Sequence, residues 1–236
     1  GSYLRWKLAS ELFSKAGIPT ARLTFARVKL NNRDLGLYLL LEPTDKLFLN
    51  HHFGSSKGNL DEGSNNDIGD KLEVDHGDRT KPQIDLSALA HACAEPDLTA
   101  RWGKLNQVLD VNRFLSFMAL EVLVAHHDGY SLDRNNFRIY HDPTSHRLVF
   151  IPHGMDLIFD HSELPLEPHF SGVVARALFE TPEGISAYRT RIRALGRRFF
   201  AGHLLTDRLG EISKIIEPAA DTETISAGQE LRKQIE

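Results

Sequence analysis

Two short polar segments hold the side chains best suited to chemistry. The first contains Asp128 and is followed by Asn135 and Asn136, and the second ends at Asp156. Carboxylate and amide oxygens grouped in this way are the ligands that a hard divalent cation such as Mg²⁺ or Mn²⁺ prefers. One remaining aspartate could then orient or deprotonate a nucleophile. The two segments together therefore predict a metal-assisted reaction centre.

The predicted secondary structure brings these segments to one end of a hairpin. An apolar helix is predicted over 111–126, and two strands are predicted over 137–140 and 148–151. Because a hairpin returns the chain to its start, we expect Asp128, the two asparagines and Asp156 to lie side by side. On spacing alone, turns and helix caps are the more common use of Asp and Asn, since both side chains bond readily to local backbone.

The rest of the pattern predicts one α+β domain over 3–236, with its sheets built from antiparallel pairs. Residues 3–53 are expected to hold a helix and a hairpin, 54–84 a polar loop, and 85–236 a mostly helical part that carries the second hairpin. The predicted elements are a helix over 3–16, strands over 21–30 and 37–41, helices over 86–94 and 97–108, and helical structure beyond about 172.

Composition excludes several classes of protein. The chain has 236 residues and a formal net charge of −4, so nothing global favours nucleic-acid binding. Its single cysteine, Cys93, excludes an intrachain disulfide framework and a multi-cysteine zinc site. No uninterrupted apolar run approaches the roughly 18 residues of a membrane-spanning helix.

In the order and spacing of its motifs, the chain resembles the spore-coat protein H (CotH) kinase family of atypical protein kinases. The matching segments run from about residue 4 to 160. The strongest are Asp128-Gly129-Tyr130, Asn135 through Tyr140, and Ile151-Pro152 through Asp156. Weaker matches are Leu4-Arg5 through Pro19, Val28 through Asn31, Gly36-Leu37-Tyr38, Asp45 through Leu49, Gly58-Asn59-Leu60 and Asp110 through Phe114.

This resemblance implies a protein-kinase-like fold and transfer of the ATP γ-phosphate to a serine or threonine of a protein substrate. It implies that Asp128 accepts the hydroxyl proton, and that Asp156 with Asn135 or Asn136 holds Mg²⁺ or Mn²⁺. It also implies that Glu42 lies near the hinge and the nucleotide. Such a transfer depends on positioning and charge neutralisation more than on covalent chemistry, which suits these residue types.

The chain departs from the family pattern in three respects, one of which is that it has no glycine-rich G-x-G-x-x-G loop. Gly154 stands where the common Pro-Trp-Asp-x-Asp form has its first aspartate. The family's N-terminal basic segment has no match here, so the N-terminal lobe is expected to be incomplete. The resemblance implies a bacterial protein, either secreted and surface-exposed or in the spore coat, and the sequence does not choose between these compartments.

Two other functions remain open. The chain could be a non-catalytic surface or coat module that keeps the fold and binds a protein partner. It could also be a metal-dependent hydrolase, because histidines and aspartates crowd the same region. The residues of that cluster are His126, His127, Asp128, His153, Asp156, Asp160 and His161.

Overall fold

The computed structural model describes residues 2–78, 84–160 and 163–236. Within these ranges the fold is α+β, as predicted, and its strands form a two-stranded and a four-stranded antiparallel sheet. The elements, in chain order, are α1 (Ser2–Lys15), β1 (Leu23–Leu30), β2 (Arg33–Leu41), α2 (Lys46–Phe53), β3 (Leu60–Gly63), β4 (Glu73–His76), α3 (Ile84–Cys93), α4 (Leu98–Val108), α5 (Val111–Leu123), α6 (Tyr130–Asp133), β5 (Phe137–Asp142), β6 (Arg147–Pro152), α7 (Val173–Phe179), α8 (Pro182–Phe199), α9 (Leu204–Ile216) and α10 (Thr222–Ile235).

Helix α5 is the centre of the core. The side chain of Asp110 caps it by accepting the backbone N–H of Arg113. Its apolar residues are buried on nearly every side, as the sequence predicts for a central helix. The helix ends three residues earlier than predicted, because Ala125 takes a left-handed conformation with φ of 50°. This sharp ending turns the chain directly into the polar segment around Asp128.

The larger sheet has the strand order β4-β3-β5-β6. The prediction of a loop over 54–84 was wrong for part of that range, since β3 and β4 both lie in it. Strand β3 pairs with β5, where Leu60 is opposite Tyr140 and Gly63 is opposite Phe137. The sequence of β3, Leu-Asp-Glu-Gly, has low strand propensity, so the strand forms because β5 supplies its partner.

The N-terminal part contains the predicted helix and hairpin. Helix α1 buries Leu4, Leu8 and Leu12 against the core. Strands β1 and β2 form the two-stranded sheet in a register that places Leu23 opposite Leu41. Strand β2 begins at Arg33, four residues before the predicted start.

The C-terminal helices complete the packing. Helix α8 lies against α5, and helices α9 and α10 pack against α1. One hydrophobic core therefore extends from Leu4 to Leu231. Among the residues that the structure describes, no helix has both the length and the apolar character needed to cross a membrane.

Candidate active site

The β5–β6 hairpin brings the two polar segments together. Phe137 at the start of β5 pairs with Pro152 at the end of β6. The backbone N–H of His153 donates to the carbonyl of Asn136 over 3.0 Å, which extends this pairing one residue beyond the strands. The chain before β5 and the chain after β6 are therefore held side by side.

Asp128 and Asn136 are joined directly. The Asn136 Nδ2 group donates to Asp128 Oδ2 over 2.8 Å and to the Asp128 carbonyl over 3.2 Å. These two bonds fix the orientation of the amide, because the flipped orientation would place Oδ1 against a carboxylate. The Asn136 Oδ1 atom is consequently directed away from Asp128 and toward the chain that follows β6.

Gly154 lies against that amide oxygen. A Cβ atom at Gly154 would lie 2.3 Å from Asn136 Oδ1, and the residue has a φ of 59°. Both the space and the backbone conformation therefore require glycine here. The departure from the family's Pro-Trp-Asp-x-Asp form follows from this packing, because an aspartate in place of Gly154 would collide with Asn136.

Asp156 lies two residues farther along and is half-buried. Burial lowers the pKa of both His126 and His153, to about 4 for His153, and the charge of Asp156 opposes this shift at both rings. Asp156 is therefore within electrostatic reach of each imidazole. Within the described residues its carboxylate has no hydrogen bond or ion pair. Asn135 is also half-buried, and within the same residues its amide bonds neither Asp128 nor the Gly154 turn.

The donor set fits a hard divalent cation. Among the described residues, the Asn136 amide oxygen receives no hydrogen bond, and Asp156, two residues after Gly154, brings a half-buried carboxylate. Oxygen ligands of these two kinds match Mg²⁺ and Mn²⁺. Of the two asparagines, Asn136 is the one that contacts Asp128 and the Gly154 turn.

The histidines of the cluster have other contacts. The His126 Nε2 atom lies 3.3 Å from the Gly154 carbonyl, and His153 Nδ1 lies 3.0 Å from the Arg138 guanidinium. Among the described residues, no three His, Cys, Asp or Glu side chains are grouped as ligands of one metal ion. His161, which the hydrolase hypothesis included, lies outside the described residues.

Arg138 links the site to the strands that were predicted as loop. Its guanidinium bonds Glu62 of β3 over 2.8 Å and Asp75 of β4 over 3.1 Å. The same group contacts His153. The β3–β4 pair therefore forms one wall of the site, which the sequence analysis did not foresee.

Glu42 lines a cavity of about 100 Å³ on the other side of His153. Its carboxylate accepts the backbone N–H and the Nε–H of Arg22, each over 3.0 Å, and Arg22 lowers the pKa of this carboxyl group. The buried hydroxyl of Thr20 also lines the cavity and has no hydrogen-bond partner among the described residues. The other lining residues are Trp6, Ala21, Leu41, Pro43, Thr44, Arg138, Ile151, Pro152 and Met155.

Glu121 is the site-adjacent residue that sequence reasoning missed. It is fully buried in α5, directly beneath the segment that contains Asp128. The signal was present in the sequence, because Glu121 is the one charged residue between Phe114 and Ala125. A charge at the centre of an apolar helix needs buried partners, and such partners commonly belong to a site.

Comparison with known proteins gives consistent matches. The sequence profile of the family described as "CotH kinase protein" matches residues 1–233. The chain is 23% identical to "Invasin CotH2" of Rhizopus delemar, over 91% of this chain and 42% of that protein. It is 26% identical to "Inner spore coat protein H" of Bacillus subtilis, over 66% of this chain and 46% of that protein. The chain thus spans less than half the length of these curated relatives.

Proposed function

Since this chain belongs to the CotH kinase protein family, we propose that it transfers the γ-phosphate of ATP to a serine or threonine hydroxyl of a protein substrate. The observation that carries the proposal is the hydrogen bond between Asn136 and Asp128 beside the glycine turn at Gly154, which Asp156 follows two residues later. A base and two hard-metal ligands at one point are the parts that phosphoryl transfer requires.

Asn136 and Asp156 would hold Mg²⁺ or Mn²⁺, which when bound supplies positive charge against the phosphate oxygens. The Asn136 amide does two things, since its nitrogen orients Asp128 while its oxygen remains available as a ligand. Asp156 contributes a carboxylate that the described residues leave uncommitted. Of the two asparagines to which the resemblance gave this role, we assign it to Asn136, because Asn136 bonds Asp128.

Asp128 would accept the proton of the substrate hydroxyl. Its Oδ1 atom is buried and lies 3.3 Å from His126 Nε2, so the exposed 22% of the side chain belongs to its other atoms. Its Oδ2 atom already accepts one N–H from Asn136 and retains a lone pair for the hydroxyl. The hydrogen bond from Asn136 orients this carboxylate for general-base catalysis.

The nucleoside of ATP would bind at the cavity beside Glu42, which at about 100 Å³ would have to widen to admit it. This cavity combines apolar walls at Trp6 and Met155 with polar groups at Thr20 and Glu42, the usual composition of a small-molecule site. Met155 directly precedes Asp156, so this cavity adjoins the turn that carries Asp156. Glu42, held by Arg22, would act mainly by fixing the wall of the cavity.

The test combines calorimetric titration of ATP with Mn²⁺ and phosphate transfer to dephosphorylated casein. We expect Asn136→Ala and Asp156→Asn to abolish metal-dependent binding, and Asp128→Asn to retain binding while lowering transfer by roughly 100-fold or more. Asn135→Ala is the matched control and should behave as wild type, because Asn135 does not contact Asp128. Metal-dependent binding that survives in Asp156→Asn would contradict the proposal.

A non-catalytic interaction module is the second candidate. Two observations favour it: the names of the relatives describe an invasin and a spore-coat protein, and the β1–β2 sheet exposes Tyr38 and Leu40 on one face. Exposed apolar residues that share a face commonly mark protein contacts. Under this function the wild type would not bind ATP with or without Mn²⁺, and Asp156→Asn would have no effect.

A further inference from the structure

Glu121 is a buried carboxylate that the proposed reaction does not use. It lies in the last turn of α5 and its side chain is 0% exposed. Burial raises its pKa to about 8, against the opposing effect of backbone hydrogen bonds from Ser131 and Tyr130. A carboxyl group is costly to bury without partners, so its contacts indicate why it is there.

Both oxygens of Glu121 accept backbone hydrogen bonds from the segment that follows Asp128. The N–H of Tyr130 donates to Oε1 and the N–H of Ser131 donates to Oε2, each over 2.9 Å. These are the first N–H groups of α6, whose N-cap residue, Gly129, has no side chain to accept them. Glu121 therefore caps α6 from a different helix.

The same carboxylate lies behind His126. The Oε1 atom is 3.8 Å from His126 Nδ1, and His126 Nε2 is 3.3 Å from both Asp128 Oδ1 and the Gly154 carbonyl. A continuous set of buried contacts thus joins Glu121 to the base and to the glycine turn. No other titratable residue among those described is fully buried beneath this segment.

Gly129 makes this arrangement possible. A Cβ atom there would lie 2.4 Å from Glu121 Oε1 and 2.7 Å from His126 Nδ1. Its φ of −80° is one that any residue can adopt. Glycine is therefore required at this position for space and not for backbone conformation, which shows how closely the segment is drawn onto Glu121.

We propose that Glu121 is a positioning residue, which holds the segment 126–131 against α5 and thereby keeps the Asp128 carboxylate in hydrogen-bonding position with Asn136. The effect on transfer rests on the proposed function. The effect on the segment itself does not, so the two can be tested separately.

The first variant is Glu121→Gln, which keeps the size of the side chain but turns an –NH₂ group toward a backbone N–H. We expect amide hydrogen exchange at Tyr130 and Ser131 to rise about tenfold or more. We expect kcat for transfer to casein to fall by roughly 10- to 100-fold, the effect of a small misplacement of a catalytic group. The KM for ATP with Mn²⁺ should stay within about twofold, because Asn136 and Asp156 are retained.

Ser116→Ala is the matched control. Ser116 is also buried in α5, but its hydroxyl bonds the carbonyl of Asn112 and contacts Arg191 instead of the segment 126–131. We expect this variant to lower overall stability while exchange at Tyr130 and Ser131, and kcat per folded molecule, stay at the wild-type values. A merely structural role for Glu121 would make the two variants behave alike.

The measured exchange rates and kcat values decide whether Glu121 positions the segment 126–131. Folded Glu121→Gln with wild-type exchange at both amides, or with wild-type kcat, would overturn the proposal. If the wild type transfers no phosphate, the proposed function fails, and the exchange rates alone decide whether Glu121 holds the segment. If Glu121→Gln does not fold, Gly129→Ala serves instead, because the added Cβ would press on Glu121 Oε1. We expect this variant to raise amide hydrogen exchange at Tyr130 and Ser131. Unchanged exchange at both amides would contradict the proposal.

Discussion

At the scale of single residues, the site depends on which side-chain atom faces which neighbour. Asn135 and Asn136 have the same chemistry, but only Asn136 bonds Asp128 and packs on Gly154. The difference arises because Asn136 has a φ of 52°, which turns its side chain into the site before β5 begins. A sequence pattern cannot distinguish the two, because it does not show where the strand starts.

Gly154 gives a prediction at this scale. We expect Gly154→Ala to destabilise the protein by about 1–3 kcal/mol beyond the cost of left-handed backbone alone, since its Cβ would overlap Asn136. Gly202→Ala is the control, because Gly202 has the same φ of 59° but no atom within 4 Å of an added Cβ. Urea unfolding of both variants measures the difference, and equal destabilisation would show that Asn136 moves aside freely.

At the scale of elements, α5 and the β5–β6 hairpin position the chemistry. The helix ends at a left-handed residue, Ala125, and releases the chain toward Asp128, while the hairpin returns it to Asp156. Strand β3 then adds Glu62 beside Arg138. The helix and hairpin are local in sequence and were predicted, whereas β3 depends on a partner about 80 residues away.

Helix α5 also gives a pH prediction. Because the pKa of Glu121 is about 8 in the folded protein and near 4.5 when unfolded, the folded state retains a proton that the unfolded state loses between these values. The contribution of Glu121 to the free energy of unfolding is therefore fully present below about pH 4.5 and is lost as the pH rises through 8. We expect wild type to lose stability relative to Glu121→Gln across this range.

Urea unfolding of wild type and Glu121→Gln at pH 5 and pH 8.5 tests the direction of this pH dependence. Glu163→Gln serves as the control, because Glu163 is exposed and its replacement should leave the pH dependence of wild type unchanged. A constant difference between wild type and Glu121→Gln at the two pH values would show that the carboxyl group titrates alike in both states.

At the scale of the whole molecule, the first and last helices share one core. Arg5 of α1 forms an ion pair with Asp160, and Gly228 of α10 packs so closely on Leu4 that an added Cβ would lie 3.0 Å from it. Within the described residues, helices from the two ends of the chain therefore pack against each other. This arrangement favours a single cooperative unit over separate N-terminal and C-terminal parts.

Leu231→Ala tests that cooperativity. Leu231 is fully buried in α10, so we expect a loss of about 2–5 kcal/mol of unfolding free energy. If the chain unfolds as one unit, the fluorescence of Trp6 in the N-terminal helix, read in a Trp102→Phe background, and far-UV circular dichroism should shift to the same lower midpoint. Separate midpoints would show that α10 unfolds independently of α1. Ile225→Ala in the same helix is the control, because Ile225 is 47% exposed.

The sequence by itself determined the α+β class, the central apolar helix, the two hairpins and the pair of polar segments. These features are encoded locally, in residue periodicity and in turn chemistry, so they do not depend on distant contacts. Tertiary structure alone decided that Asn136 faces Asp128, that Gly154 has no room for a side chain, that β3 is a strand, and that Glu121 accepts the N–H groups of Tyr130 and Ser131. Each of these depends on atoms brought together from separate parts of the chain, and their distances follow from packing that no local pattern records.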